Sequence, residues 1–436
     1  MSSLKQIPLQ FNPNISFDFS GGNLSSDSGL ILVKEFIDKL GINLLLKEQF
    51  DDDSKRTHTT SSVIEQIIYQ SIAGYHKDDA ADDLRYDPVF TSILGKESLA
   101  SQPTLSRVLN SFSREDAEQF NGILEHLYKK VHPENETYQI VLDLDSTNVQ
   151  TYGKQEESTY IHHYNTKGYH PLVLYDGLSG DLMKFQLRKG SVYTSNGVVD
   201  FLEPVLVSLR EHYPQATILV RGDSGFALPG LYDLCDAYGV HYIIKLKANA
   251  ILDKLSNDAE DYFTACYKMD YASYHCHYDE FLYQANSWNK SHRVVMKIER
   301  SSGELAPRKS YIITSLELNC ADILKVYNKR GNMENFIKET KLDFGLDSLS
   351  HSTFSANQTK AMIIAVAYSI VNAMKLLVIP KDFCKNRVIT LKTIFIKIAS
   401  KFVSHSRKVT LKFCSSAPYK NVVTKIIVRI HSLALG

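Results

Sequence analysis

The chain has 436 residues, 44% hydrophobic and 22% charged, with 49 Lys and Arg balancing 49 Asp and Glu. That length exceeds one small core, and the composition is that of a folded globular protein, which excludes disordered, collagenous and repeat chains. Six cysteines without a CxxC pair exclude a disulfide framework or zinc finger, and the N-terminus MSSLKQIPLQF lacks an apolar signal core, so a cytoplasmic protein is expected.

Residues 1–134 read as mostly helical. Ser62–Ala73 is apolar at helical spacing and stops at Gly74. Gln102-Pro103-Thr104 opens a second helix with Leu105, Val108 and Leu109 on one face. It suits either the reading helix of a helix-turn-helix or a packing helix in a bundle. Tyr138–Leu144 (YQIVLDL) is a buried-type strand running into Asp145-Ser146-Thr147. Strands Pro171–Tyr175 and Leu182–Leu187 follow, separated by Asp176-Gly177 and Ser179-Gly180. Next come a helix over Asn196–His212 and a strand over Ala216–Val220 that ends in Arg221-Gly222-Asp223-Ser224-Gly225. A helix (Leu228–Tyr238) and a strand (His241–Leu246) complete the run.

Three strands, then helix, strand, helix and strand, is the order of an RNase H-like α/β core. The expected fold is therefore a mixed five-stranded sheet with flanking helices. Residues 248–307 interrupt it as a β-rich insertion containing RVVMKIE (Arg293–Glu299), and Tyr311–Ser315 returns to the core. Ala361–Ile379 is broken by Ser369, Asn372 and Lys375 and reads as a buried helix, not a membrane span. From Asn372 onward there are thirteen Lys or Arg and one acid, Asp382, leaving residues 1–371 with an excess of twelve acids. The basic segment also carries Ile394, Phe395, Ile396, Ile426 and Ile427, so a folded basic surface facing a polyanion is expected, with Lys401, Arg407, Lys408 and Lys412 as candidate DNA contacts. The expected segments are 1–134 (helical, with a candidate role in DNA binding), 135–247 (core), 248–307 (insertion), 308–371 (core) and 372–436 (basic).

Cleavage of a phosphodiester by two metal ions needs converging carboxylates. Mg2+ takes hard oxygen ligands, usually one or two carboxylates with water and phosphate. Asp145 and Asp223 each end a strand, and emerge together if those strands are parallel neighbours. One such Asp among 49 acids is ordinarily solvated surface. The helical pattern over Ala321–Lys341 shifts the balance. At 100° per residue it aligns Tyr327, Arg330, Glu334, Lys338 and Lys341 beside an apolar stripe of Val326, Met333, Phe336 and Ile337. A surface face of Glu–Lys pairs is the plain alternative, but it does not explain Gly331, which weakens a helix interior by about 1 kcal/mol.

Tyr-x2-Arg-x3-Glu-x6-Lys, met by Tyr327, Arg330, Glu334 and Lys341, resembles the YREK signature of bacterial insertion-sequence DDE transposases. It lies downstream of Asp-Ser-Thr (145–147) and Arg-Gly-Asp-Ser-Gly-Phe (221–226), and the likeness extends through Ser101–Arg107 and Gly168–Pro171. The chain is similar to insertion-sequence family 1380, related to the piggyBac elements. The resemblance implies that Asp145, Asp223 and Glu334 are catalytic and hold two Mg2+ ions, with Mn2+ able to substitute. It implies that Tyr327, Arg330 and Lys341 contact phosphates. Its partners would be transposon terminal repeats and target DNA, with a homodimer or larger assembly on DNA and no membrane. Asp143 shares a strand face with Asp145 and is either a ligand or a group behind one. Trp288 lies in the insertion, which in related transposases supplies an aromatic that stacks on a flipped base; filling the insertion's own core is the equal alternative. His275-Cys276-His277 reads as structural. Two rival functions are a DNA-binding descendant without activity and an RNase H-like nuclease that never joins strands.

Overall fold

The computed structural model describes residues 6–52, 55–136, 138–268, 270–406 and 408–434. It divides into two compact units, residues 124–338 and residues 1–123 with 339–436.

The unit of residues 124–338 is built on one mixed sheet. Its strands in chain order are β1 (Gln139–Ser146), β2 (Leu172–Asp176), β3 (Leu182–Gln186), β4 (Thr217–Gly222), β5 (His241–Leu246), β6 (His275–Tyr283), β7 (His292–Arg300) and β8 (Arg308–Thr314). Their spatial order is β6-β7-β8-β5-β4-β1-β2-β3. β4 runs parallel to both β1 and β5, and the other neighbours are antiparallel.

Alternation along the strands decides what each face meets. Ile140, Leu142, Leu144, Ile218, Val220 and Ile244 share a core with Leu202, Leu206 and Leu209 of α1 (Val198–His212) and with Leu231 and Leu234 of α2 (Pro229–Ala237). The intervening positions Val141, Leu219, Ile243, Val295 and Ile312 pack on Ile323 and Leu324 of α3 (Cys320–Asn328). Asp143 and Asp145 continue the row of Val141, and Arg221 and Asp223 continue the row of Leu219. All four therefore project on the face covered by α3. The pairing of Asp143 with Arg221 sets Asp145 and Asp223 two residues further along neighbouring strands, at one edge of the sheet. A slip of one residue would send one of the pair to the opposite face.

The insertion differs from expectation. It opens with two helices, Ala250–Leu255 and Asn257–Tyr267, and its strands β6 and β7 extend the main sheet to eight strands through β8. A long hairpin whose β7 alternates Val294, Met296 and Ile298 into the core has an edge to pair and finds β8 there. A second small sheet, Val149–Gln150, Thr166–Tyr169 and Thr159–Ile161, follows β1 and was not foreseen.

The helical pattern over Ala321–Lys341 is helical throughout but is not one regular helix. α3 gives way to a 3-10 turn at Lys329–Gly331, then α4 (Asn332–Lys338), then a π turn at Glu339–Asp343. Gly331 and Asn332 are weak helix formers, which is where the tightening occurs. A 3-10 turn rotates about 20° per residue further than an α-helix. Residues beyond it therefore do not keep the alignment that a regular helix gives.

In the unit of residues 1–123 and 339–436, helices Thr60–Ala73 and Phe354–Leu377 pack on each other. The second is long and apolar enough to cross a membrane, yet 83% of that stretch is buried in the fold. Helix Gln102–Ser111 turns Leu105 and Leu109 into this core, as a packing helix does. The N-terminal and basic C-terminal stretches, expected as separate segments, share this unit. Strand Ser400–His405 pairs with Leu24–Ser25, Gly29 donates to the Ile396 carbonyl, and Lys397 pairs with Asp27 at 2.6 Å. A Cβ at Gly29 would lie 1.7 Å from the Phe395 carbonyl oxygen, so only glycine lets the two stretches approach. Part of the basic excess is thus spent internally: Lys392 is buried on the carbonyls of Ser71 and Asp343, and Arg387 pairs with Asp343.

Candidate functional site

At the carboxyl edge of β1 and β4 an open cleft of about 450 Å3 holds both Asp145 and Asp223. Behind it lies a buried ion pair. Arg221 donates through Nε and Nη2 to the two carboxylate oxygens of Asp143, at 2.6 and 2.7 Å, and through Nη1 to the Val326 carbonyl of α3, at 2.6 Å. One arginine thereby ties β1, β4 and α3 together, two residues before each cleft aspartate and one before Tyr327. Burial raises the Asp143 carboxyl pKa even so, with Arg221 working against that rise. Asp143 is fully buried and holds Arg221, so it supports the site from behind instead of lining the cleft.

Asp145 accepts from its neighbour's amide, Ser146 N, at 2.8 Å and pairs with Arg330 Nη2 at 3.0 Å. Burial pushes its pKa up to about 6; Arg330 pulls it down, and the charge of Asp223 raises it further. Asp223 caps the turn Ser224–Phe226 by accepting from Gly225 N at 2.8 Å. Arg330 also donates to the Leu144 carbonyl at 2.9 Å. Burial opposes its charge, but Asp145, Tyr327 and Asp223 hold its pKa above the usual arginine value. The Tyr327 phenol is raised by burial and by the same two aspartates, with Arg330 opposing. Asp145, Asp223, Tyr327 and Arg330 thus form one electrostatic group.

Glu334 stands apart from it. It is exposed on α4, beyond the 3-10 turn, and does not line the cleft. Among the described residues no three His, Cys, Asp or Glu are gathered closely enough to hold a metal ion. Asp145 and Asp223 alone do fit a hard divalent cation. They are paired oxygen donors whose mutual repulsion such an ion would relieve.

A family model, Transposase DDE domain group 1, matches residues 7–435. The chain belongs to that DDE transposase family. No curated protein matches the chain. Among solved structures, a cryo-EM structure of the piggyBac transposase synaptic complex with hairpin DNA aligns over 98% of this chain and 87% of that one. Its identity is 13% and its TM-score 0.44, a likeness too loose to bear on mechanism.

The remaining positions expected to serve this DDE transposase are divided between the two units. Lys338 is exposed at the end of α4. Lys341 belongs to the other unit, where it sits 3.6 Å from Asp347. Lys401, Lys408 and Lys412 are exposed on the hairpin Ser400–His405 and Lys408–Phe413, with Lys401 directly opposite Lys412. Arg407 lies outside the described residues. Trp288 is partly buried. Its ring packs edge-on against Tyr232, Tyr283 and His292, with centroids 5.0–5.5 Å apart, beside the main core. His275 pairs with Asp270 and stacks on Tyr267, as a structural histidine does.

Sequence reasoning missed the cleft's other walls. Tyr164 donates to the Ser146 carbonyl at 3.1 Å, and burial, then Asp145 and Asp223, push its phenol up to about 12. His162, His163, His170 and Lys247 also line the cleft. The available signal was the aromatic and imidazole run His162-His163-Tyr164 just after the first aspartate motif.

Proposed function

We propose that this DDE transposase is catalytically active, cutting transposon ends and joining them to target DNA in a cut-and-paste reaction dependent on two divalent metal ions. The observation that carries the reading is the convergence of Asp145 and Asp223 at the ends of two parallel neighbouring strands, with Arg330 and Tyr327 against them. The strand order β3-β2-β1-β4-β5, with β1, β4 and β5 parallel, supports an RNase H-like core within the larger sheet.

Asp145 and Asp223 would hold the ions, and Glu334 is assigned as third carboxylate by its place in the motif, one helical turn beyond Arg330. Bound Mg2+ or Mn2+ would supply activation of the attacking oxygen and stabilisation of the leaving one. The chain's own residues position the substrate. Arg330 is charge-paired with Asp145 and is placed to take a phosphate oxygen once that carboxylate is engaged. The buried Asp143–Arg221 pair keeps both strands and α3 in register. Lys401 and Lys412 face each other across a hairpin, an arrangement that repels unless an anion intervenes, which supports DNA contact there. A homodimer or larger assembly on two DNA ends completes the proposal.

The test is nicking and strand transfer on terminal-repeat DNA with Mg2+ or Mn2+. Asp145→Ala and Asp223→Ala should abolish both steps while DNA binding persists, and Ca2+ should support binding with little chemistry. Full activity of either variant sinks the reading, and full activity of Glu334→Ala removes Glu334 from it. Hydrolysis without joined products would make the chain a nuclease. The exposure of Glu334 favours one second reading, a DNA-binding descendant without activity, which predicts binding and no cleavage by the natural sequence.

A further inference from the structure

Residues 7–17 form a hairpin of two strands, Ile7–Leu9 and Asn12–Phe17, with Ile7 opposite Phe17 and Pro8 opposite Ser16. Alternation sorts its side chains by polarity. Ile7, Ile15 and Phe17 share one face, and Pro8, Asn14 and Ser16 share the other. Phe19 lies edge-on to Phe17, with ring centroids 6.2 Å apart. Such a pattern belongs to a strand pair with one face packed and one in water. Here the apolar face is open. Ile7, Ile15 and Phe17 are 52%, 44% and 45% exposed, and Phe19 is 85% exposed. A two-stranded hairpin is marginal in water on its own, and a contiguous exposed apolar face marks an interaction site.

This arm is jointed where it meets the fold. Phe402 N donates to the Asn23 carbonyl at 2.8 Å and Leu24 pairs with Lys401, which pins residues 23–24 to the basic hairpin. Gly21 and Gly22 precede that anchor, and Gly22 turns the chain with φ at +83°.

The same unit carries an apolar groove of about 870 Å3 between helix Lys420–Ser432 and residues 390–399. Ile31, Ile394, Ile398, Phe413, Val423 and Ile427 wall it. No acid lines it; of its two lysines, Lys397 pairs with Asp27 and Lys420 is exposed where the helix starts. The only charge in residues 6–23 is Asp18, opposite in sign to Lys420. No residue of the arm lines the groove, so a single chain leaves both surfaces open. Ile398 and Ala399 lead directly into the strand that anchors Asn23 and Leu24, so the arm departs beside the groove. Two copies facing each other there can make both contacts about one two-fold axis.

We propose that the arm of one copy docks its apolar face in the Lys420–Ser432 groove of a second copy, and the exchange is reciprocal, so that the chain pairs without DNA. The contact uses neither the carboxylate cleft nor nucleic acid and stands apart from the transposase reading.

The experiment is light scattering on the full chain, without DNA or divalent metal, across a dilution series. The natural sequence should show twice the mass of one chain and fall to one on dilution. Ile15→Ser/Phe17→Ser removes the apolar face of the arm, and Thr424→Arg places a charged side chain in the groove. Ile15, Phe17 and Thr424 are exposed, so folding should survive, and unchanged melting curves check it. Burying one Ile or Phe strengthens association by roughly tenfold to a hundredfold. The arm variant should therefore weaken pairing by at least about a hundredfold, and the groove variant should do likewise. An equimolar mixture of the two variants should regain pairing in part, because the intact arm of one meets the intact groove of the other. A natural sequence of single-chain mass at every concentration overturns the proposal, whether the arm closes on its own groove or takes a different protein. Pairing that survives either variant undiminished overturns it, as does a mixture with no more pairing than its components. None of these outcomes bears on the transposase reading.

Discussion

Arg221→Met would leave the Asp143 carboxylate buried without its partner. The pair is almost wholly out of solvent, with side-chain exposures of 3% and 0%, and is bidentate. Breaking such a pair from one side costs about 3–5 kcal/mol. The bond to the Val326 carbonyl is worth about 1 kcal/mol more. For a unit of residues 124–338, this amounts to a fall in melting temperature of roughly 8–24 °C. Replacing both partners with apolar residues, Asp143→Leu/Arg221→Met, should recover most of the loss, because no charge is left stranded. The double variant should still cleave DNA poorly, since α3 has lost its tie one residue before Tyr327. Thermal unfolding by calorimetry beside a nicking assay reads both. A single variant within about 1 kcal/mol of the natural sequence, or a double variant no more stable than the single, would refute the reasoning.

Asp145 titrates near 6 in the fold, above the ~3.9 of an unfolded chain. The folded state therefore binds that proton more tightly, and the stability it contributes is complete below about pH 4 and lost as pH rises through 6. Asp145→Asn should flatten that slope in metal-free melts and be more stable at pH 7 by roughly 2–3 kcal/mol; parallel profiles for the two proteins would contradict this. Glu at Lys401, Lys408 and Lys412 should weaken DNA binding and lower the slope of log affinity against log salt by up to about 0.9 for each lost phosphate contact, and an unchanged slope in a folded variant would clear the hairpin of DNA contact. Trp288 is only partly buried, so Trp288→Ala should destabilise the unit of residues 124–338 by less than the roughly 3–5 kcal/mol of a fully buried aromatic; a variant of unchanged stability that nicks DNA normally but fails to complete the double-strand break would assign Trp288 to DNA end processing.

The strands that carry the cleft aspartates were legible because their signals are local. An apolar run ending in Asp, met twice, marks two buried strands, and β5 matches its expected bounds at both ends. What failed depends on distant partners. Nothing in residues 248–307 says that their strands will find the edge of β8 instead of forming a sheet of their own. Nothing in the basic tail says that Ser400 will pair with Ser25. The Tyr327–Lys341 row was an inference from a uniform 100° step, and a few residues of tighter winding at Gly331 were enough to alter it. Arg221 stood in plain view within a recognised motif, but its role needed the register that sets it opposite Asp143.

The loop between β3 and α1 is anchored through its carbonyl oxygens, by Arg188 and His170, and every peptide offers a carbonyl whatever its side chain. Its course is thereby uncoupled from most of its spelling. Substitutions at Tyr193 or Ser191 change what the cleft presents without changing where it presents it. A cleft wall hung in this way can be rewritten one residue at a time while the scaffold beside the carboxylates stays put.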